Sequence, residues 1–253
     1  MLYFGTGTLD FSFPGVFYAV EAQTGAEQWR FELPDGVTSR PVVADGSVYF
    51  GGRDGQLYAL NTQTGQLLWQ FKTGNAIQTT PIALNEILYT GSNDGNLYTL
   101  ETQTGQEIWR LEGGGHQIVG LHGNIIYTSD GDYLYAINRQ TQFEVWRFKT
   151  QGSLFNSGVL AQGVIYLGDT AGFVYAVDAQ LGRERWRFST VSLADHWGEF
   201  WLDLRALDFS GDFPPELVFA PTVAGDVIYV GAWNNKLYAL HTMGEENWGW
   251  TAQ

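Results

Sequence analysis

The 253-residue chain has no cysteine, which removes disulfides, thiolate nucleophiles, CxxC redox pairs and Cys-ligated zinc or iron–sulfur centres. The redox compartment stays open. Basic residues are scarce: 13 Lys and Arg against 27 Asp and Glu give a formal charge of −14. Such a chain repels a phosphate backbone instead of releasing its counterions, so nucleic acid is not an expected partner. No apolar run approaches the roughly 18 residues of a spanning helix, so no transmembrane segment is expected. The first basic residue is Arg30, so the segment opening with Met1-Leu2-Tyr3-Phe4 is not expected to be a signal peptide with a charged leader. Proline (7) and methionine (2) are few, whereas 32 glycines accompany 16 Phe, 13 Tyr and 10 Trp. That mixture suits many short strands joined by tight turns, and the expected class is all-β.

Self-comparison organises the whole chain. The segments FYAVEAQTGAEQWRFE, LYALNTQTGQLLWQFK, LYTLETQTGQEIWRLE, LYAINRQTQFEVWRFK and VYAVDAQLGRERWRFS are one unit, and LYALHTMGEENWGWTA is a sixth, shortened copy. Their tyrosines, Tyr18, Tyr58, Tyr98, Tyr135, Tyr175 and Tyr238, are spaced by 40, 40, 37, 40 and 63 residues, the last interval holding an insertion of about 190–219. A second tyrosine precedes each copy, at Tyr3, Tyr49, Tyr89, Tyr127, Tyr166 and Tyr229. Each full repeat reads as four strands: A around Pro41-Val42-Val43, B from Val48 to Gly51, C from Leu57 to Asn61 and D from Leu68 to Lys72. Asp54-Gly55, Asp94-Gly95 and Asp130-Gly131 are expected to supply the positive-φ pair of a tight B–C hairpin. Thr24-Gly25, Thr64-Gly65 and Thr104-Gly105 are expected to do likewise between C and D. Four antiparallel strands per repeat predict a β-propeller of about six blades, one domain over 1–253, with the first blade lacking its inner strand.

The C–D unit, with Ala59, Asn61, Thr64, Gly65 and Trp69, resembles the tryptophan-docking repeat of the pyrroloquinoline-quinone (PQQ)-type β-propellers. The resemblance covers nearly the whole chain. It implies that Trp29, Trp69, Trp109, Trp146, Trp186 and Trp248 are staples, each packed on the Gly-containing turn of a neighbouring blade. The pattern is broken at Gln142, at Leu181 and in the shortened sixth turn.

Twelve of the 13 tyrosines and six of the ten tryptophans occupy repeat positions, where packing alone explains them. Tyr133, Trp197, Trp201, Trp233 and Trp250 lie off the repeat. In an antiparallel blade, A–B and C–D turns fall at one end, while B–C turns and D-to-A connections fall at the other. The insertion is a D-to-A connection, Trp233 sits in a B–C turn, and the enlarged B–C segment Thr8 to Pro14 belongs to the same end. The insertion carries Asp195, Glu199, Asp203, Asp208, Asp212 and Glu216 against Arg205 alone. Asp195 to Leu207 fits a short amphipathic helix whose Trp197, Trp201 and Leu204 either cover the channel or form a contact surface. His196, Glu199 and Asp203 complete that candidate binding set with Trp233, for a basic or peptide partner.

Asp208, Ser210, Asp212 and Glu216 stand at spacings that suit Ca²⁺, resembling the calcium loops of the FG-GAP propeller repeat, although Phe213 replaces the turn glycine. The histidines, His116, His122, His196 and His241, are scattered and form no three-ligand centre. No G-x-S-x-G, H-E-x-x-H or P-loop is present, and no catalytic residue is assigned. The resembled family holds quinone-dependent dehydrogenases, which are longer and often carry a disulfide, and scaffolds such as the lipoprotein of the outer-membrane assembly machinery. The closer likeness is to the scaffolds. It implies a non-catalytic protein-binding module of the periplasm or cell envelope, with no cofactor expected and PQQ disfavoured. Quinone-dependent oxidation and sugar binding are the alternatives. The unpaired edge of the first blade is also an expected site of self-association, or else the mark of a longer protein or of an imperfectly closed ring.

Overall fold

The computed structural model describes residues 1–6, 14–115, 117–154, 158–190, 221–232 and 236–242. The described residues form strands and no helix, arranged as six antiparallel sheets of three or four strands, a propeller-like β fold of about six blades. They divide into two compact units, Met1–Ile118 and Val119–Gln253.

The first unit contains three sheets. β1 (Leu2–Gly5), β2 (Gly15–Val20) and β3 (Glu27–Leu33) make a three-stranded blade with no strand in the inner position among the described residues. β4 (Val42–Ala44), β5 (Ser47–Gly51), β6 (Gln56–Asn61) and β7 (Leu67–Lys72) make a full A-B-C-D blade. β8 (Ile82–Leu84), β9 (Ile87–Gly91), β10 (Leu97–Glu101) and β11 (Glu107–Leu111) make the next. β12 (Gln117–His122) begins at the division and belongs to a fourth sheet with β13 (Ile125–Asp130), β14 (Tyr133–Asn138) and β15 (Glu144–Lys149). The second unit continues with β16 (Val159–Ala161), β17 (Val164–Gly168), β18 (Phe173–Asp178) and β19 (Glu184–Ser189). It ends with β20 (Thr222–Ala224), β21 (Val227–Ala232) and β22 (Lys236–His241).

The B and C strands are buried on both faces, as the unbroken burial of Ser47–Gly51 and Val164–Gly168 shows, because each blade is covered by its neighbours. Outer D strands alternate instead, with Trp, Phe and their equivalents turned inward and Arg, Lys or Gln outward. In five sheets the C–D ladder shifts register one residue before the tryptophan, leaving Gln28, Leu68, Ile108, Val145 and Arg185 as bulge residues. A bulge on an edge strand breaks the ladder that another chain would pair with.

The turn chemistry differs in part from the sequence expectation. The A–B turns are two-residue hairpins: Ala44 pairs with Ser47 and Leu84 with Ile87, and Asp45-Gly46, Asn85-Glu86 and Gln162-Gly163 take the positive φ pairs. In the B–C turns only the glycines do so, with Gly55 at 76° and Gly95 at 86°. In the second and third blades these turns are longer, since Gly51 pairs with Leu57 and Gly91 with Leu97, and the Asp before the glycine accepts hydrogen bonds instead of setting backbone shape. In the fourth, Asp130 pairs with Tyr133 across a tight two-residue hairpin, as expected.

At the C–D end the aromatic staples have a repeating geometry. Gly65 and Gly182, at φ 70° and 65°, leave room for a ring: a Cβ on them would lie 2.6 Å from Trp29 Cδ2 and 2.5 Å from Trp146 Cδ2 respectively. Leu181 in place of threonine does not disturb this seat. Gln142 takes the glycine's conformation at φ 63°. Trp29 Nε1 donates to Thr62 O at 3.0 Å and Tyr3 Oη to the same oxygen at 3.2 Å. Trp69 Nε1 and Tyr49 Oη converge on Thr102 O at 2.9 and 3.1 Å. In the second unit Trp186 Nε1 and Tyr166 Oη share Thr242 O at 3.4 and 3.5 Å, so the shortened sixth copy still accepts its staple. Packing therefore explains these rings only in part, because each also brings a polar group to a carbonyl that closes a turn. Trp248 lies outside the described residues.

Candidate functional site

The end of the blades that bears the insertion is built from hydrogen-bonded turns. Strand D of each of three blades is followed by a buried threonine, Thr73, Thr150 or Thr190, four residues after the tryptophan. Thr73 donates from N and Oγ1 to Gly55 O, both at 2.9 Å. Thr150 does the same to Asp132 O, both at 2.9 Å, and Thr190 to Gly172 O at 2.8 and 2.9 Å. A D-to-A connection is thereby clamped to its own blade's B–C turn, which places both kinds of loop at one end of the blade.

An aspartate in the B–C turn ties this end to the preceding blade. Asp94 accepts from Tyr98 Oη and from Gly74 N, both at 2.7 Å, and from Asn96 N at 3.0 Å. Asp169, fully buried, accepts from Tyr175 Oη and Gly152 N, both at 2.9 Å, and from Phe173 N at 2.9 Å. Four donors around a buried carboxylate, counting Ala171 N at 3.0 Å, compensate its desolvation. In the second blade Asp54 receives Tyr58 Oη at 2.5 Å. Burial first, and the aspartate beside it second, push the Tyr58 hydroxyl well above its ordinary range. Tyr175 is raised chiefly by burial as well. These tyrosines stay protonated as donors and do not serve as bases near neutral pH.

The insertion springs from this framework. It leaves the fold at the clamped Thr190, whose carbonyl accepts Tyr238 Oη at 3.4 Å from β22. The chain is described again at Pro221, just before β20. Trp233 belongs to the turn between Ala232 and Lys236, which pair across β21 and β22. Trp197, Trp201, His196, Glu199 and Asp203 lie outside the described residues, as do Trp233 itself and the calcium candidates Asp208, Ser210, Asp212 and Glu216. So does most of the enlarged first B–C segment. What the described structure supplies is the frame that holds their flanks.

Among the described residues no group of three His, Asp or Glu stands close enough to hold a metal ion. No helix among them is long and apolar enough to cross a membrane. An open groove of about 450 Å³ lies at the opposite end of the third sheet, between the Asn85-Glu86 turn and the Glu101 to Ile108 turn. Its Glu107 pairs with Arg110 at 2.5 Å, and its Glu101 accepts a hydrogen bond from Thr104 at 2.5 Å.

Sequence reasoning missed the clamp threonines and the anchoring aspartates. The signal was present as a threonine four residues after Trp69, Trp146 and Trp186, and as an aspartate four residues before Tyr58 and Tyr98.

Comparisons with known proteins agree with this architecture. The family model described as outer membrane protein assembly factor BamB matches residues 13–136 and 103–248. No curated protein matches significantly in sequence. Among solved structures, BamB from Moraxella catarrhalis superposes with a TM-score of 0.69 at 19% identity, over 91% of this chain and 68% of that one. The computationally designed Ika8 protein gives 0.68 at 15% identity, over 97% of this chain and 70% of the design. The quinohemoprotein alcohol dehydrogenase ADHIIG from Pseudomonas putida HK5 gives 0.68 at 17% identity, over 86% of this chain and 48% of that enzyme.

Proposed function

From the premise that this chain belongs to the family of the outer membrane protein assembly factor BamB, we propose that it is a non-catalytic protein-binding module of the cell envelope, engaging a partner through its insertion-bearing end. The observation that carries the reading is the Thr190 clamp: the longest non-repeating segment leaves the frame at a buried, doubly bonded residue. A rigid frame with one long decorated loop is how scaffolds usually present contact groups. The loop holds six carboxylates and Arg205, together with Trp197 and Trp201, and Trp233 belongs to a B–C turn of the same end. Aromatic anchors with a rim of one charge fit a basic, partly apolar peptide.

Titration of the purified chain with a labelled lysine-rich peptide containing aromatic residues tests this. Trp201→Ala and Trp233→Ala are expected to weaken binding about tenfold each, on the scale of interface aromatic anchors, and added salt to weaken it further. Equal binding by wild type and both variants would sink the assignment of these residues.

The structural likeness to quinohemoprotein dehydrogenases favours a second reading, quinone-dependent oxidation, although the chain spans about half of ADHIIG. Adding PQQ with Ca²⁺ and following dye-coupled alcohol oxidation decides it: turnover would replace the scaffold reading. Ca²⁺ alone, followed by melting temperature in wild type and Asp212→Asn, tests whether the Asp208 to Glu216 segment takes the ion.

A further inference from the structure

We infer that the turns joining strands C and D in the fourth and fifth sheets form a second docking surface, at the opposite end from the insertion, for an acidic peptide segment with apolar anchors. The repeat itself defines what these turns ought to contain. At the position of Leu181 the first four copies have Thr24, Thr64, Thr104 and Thr141. In three of these copies the threonine hydroxyl caps its own turn, accepting from Ala26 N at 3.2 Å, Gln66 N at 3.3 Å and Gln106 N at 3.2 Å. Leu181 forgoes that bond and stands 58% exposed. At the position of Phe143 the other full copies have Ala26, Gln66, Gln106 and Arg183, and Phe143 is 75% exposed. Between Thr141 and Phe143, Gln142 occupies a left-handed conformation that glycine fills elsewhere.

Three departures from the repeat thus fall in two adjoining turns, and each is locally unfavourable. Trp146, a few residues after Phe143, lies on Gly182, next to Leu181, which brings the two turns together. Val145, 53% exposed, extends the apolar surface along β15. Local rules broken without a structural return mark a surface kept for another purpose, and exposed apolar groups concentrated at one place mark interaction sites.

The charge around them names the occupant. Around these two turns stand Arg139, Arg147, Arg183, Arg185 and Arg187 against three acids, in a chain whose net charge is −14. Of the three, Asp178 is held by Arg185 at 2.8 Å, and Glu144 and Glu184 pair with Arg147 and Arg187. Arg183, exposed beside Leu181, makes no ion pair among the described residues. A basic rim around Phe143 and Leu181 complements an acidic segment that inserts leucine or aromatic side chains.

The test is fluorescence anisotropy with the purified chain and a short labelled peptide alternating glutamate with leucine. Phe143→Gln and Leu181→Thr introduce residues that the other copies already carry, so folding is retained and melting temperature serves as the control. Binding of the acidic peptide, weakened about tenfold by each variant and by Arg183→Glu, is the expected result. Equal affinity for a peptide alternating lysine with leucine, or unchanged binding by the double variant, overturns the inference. So does concentration-dependent self-association that the same variants abolish, since the occupant would then be a second copy.

Discussion

The two ends of each blade are closed by different means. At the A–B and C–D end the A–B hairpins are two-residue turns, and an indole lies on the glycine of the C–D turn at Gly65, Gly105 and Gly182. At the B–C and D-to-A end the turns are held by side-chain hydrogen bonds from threonine, aspartate and tyrosine. A turn sealed by ring stacking has no spare volume, because interiors are packed at crystal-like density. A turn tied at two points can lengthen beyond the tie, since loop closure entropy grows only slowly with length. The insertion occurs where the second condition holds, immediately after Thr190.

The sharpest way to break this comparison is to add atoms at the sealed end. Gly65→Val places a branched side chain at φ 70° against the Trp29 ring, and Gly182→Val does the same against Trp146. Overpacking and left-handed strain together predict a loss of about 3–5 kcal/mol in denaturant unfolding. Gly25 has a similar φ of 71° and open space where a side chain would begin, so Gly25→Val should lose only the backbone part, about 1–2 kcal/mol. Equal losses at Gly25 and Gly65 would show that the docked ring is irrelevant.

A double-mutant cycle probes the shared carbonyl. Trp69→Phe and Tyr49→Phe each remove one donor from Thr102 O and leave the other, so each should cost about 1 kcal/mol. The double variant leaves a buried acceptor without either bond and should cost about 3 kcal/mol, more than the sum. Simple additivity would mean that the carbonyl finds another partner.

At the tied end, Thr73→Val keeps the shape but loses the Oγ1 bonds to Gly55 O and Asn75 O, and should cost about 1–2 kcal/mol. Thr73→Ser should recover most of it. Amide exchange should quicken first in the D-to-A connection. The same end supplies a pH dependence. Tyr58 and Tyr175 have hydroxyls raised above the ordinary 10.0, so the stability they give is whole below pH 10 and drains away as pH rises through their folded-state values. Spectrophotometric titration should show them ionising only as the fold opens. Asp54→Asn removes the nearby charge and should bring Tyr58 down, although burial will keep it raised.

Much of this is legible in the residues. The spacing of Tyr58, Tyr98 and Trp69, Trp109 determines strand number and type, because periodic aromatics can be satisfied only by a repeated packing position. The parity of antiparallel strands places the insertion and the B–C turns at one end, and the Thr190 clamp agrees. Turn composition is a weaker guide: Asp130-Gly131 does mark a tight B–C hairpin, whereas Asp54-Gly55 has the residues of a two-residue turn, but the length between Gly51 and Leu57 and the bond from Tyr58 to the carboxylate decide its use. Asp45-Gly46 has the same composition and does form that turn. The Thr73 clamp is hidden because threonine is common in strands, and only its bond to Gly55 separates a clamp from a packing residue.

The smallest expected effect runs in the stabilising direction. Gln142 and Glu86 are exposed, lack glycine's freedom, and take φ 63° and 64°. Equivalent positions hold Gly65 and Gly105 in one case, and Gly46 and Gly163 in the other. A non-glycine residue in this region costs about 1 kcal/mol, partly offset by the greater unfolded-state entropy of glycine. Glu86→Gly and Gln142→Gly should each therefore raise stability by about 0.5 kcal/mol. The two sites differ in what they are expected to lose. Glu86 lies in an A–B hairpin remote in sequence from the Phe143 surface, so its replacement should leave acidic-peptide binding unchanged. Gln142 sets the backbone that presents Phe143, and glycine there should loosen that presentation and weaken binding while the melting temperature rises. Opposite movements of stability and affinity at Gln142, with stability alone moving at Glu86, would separate a turn strained for recognition from one that is merely strained.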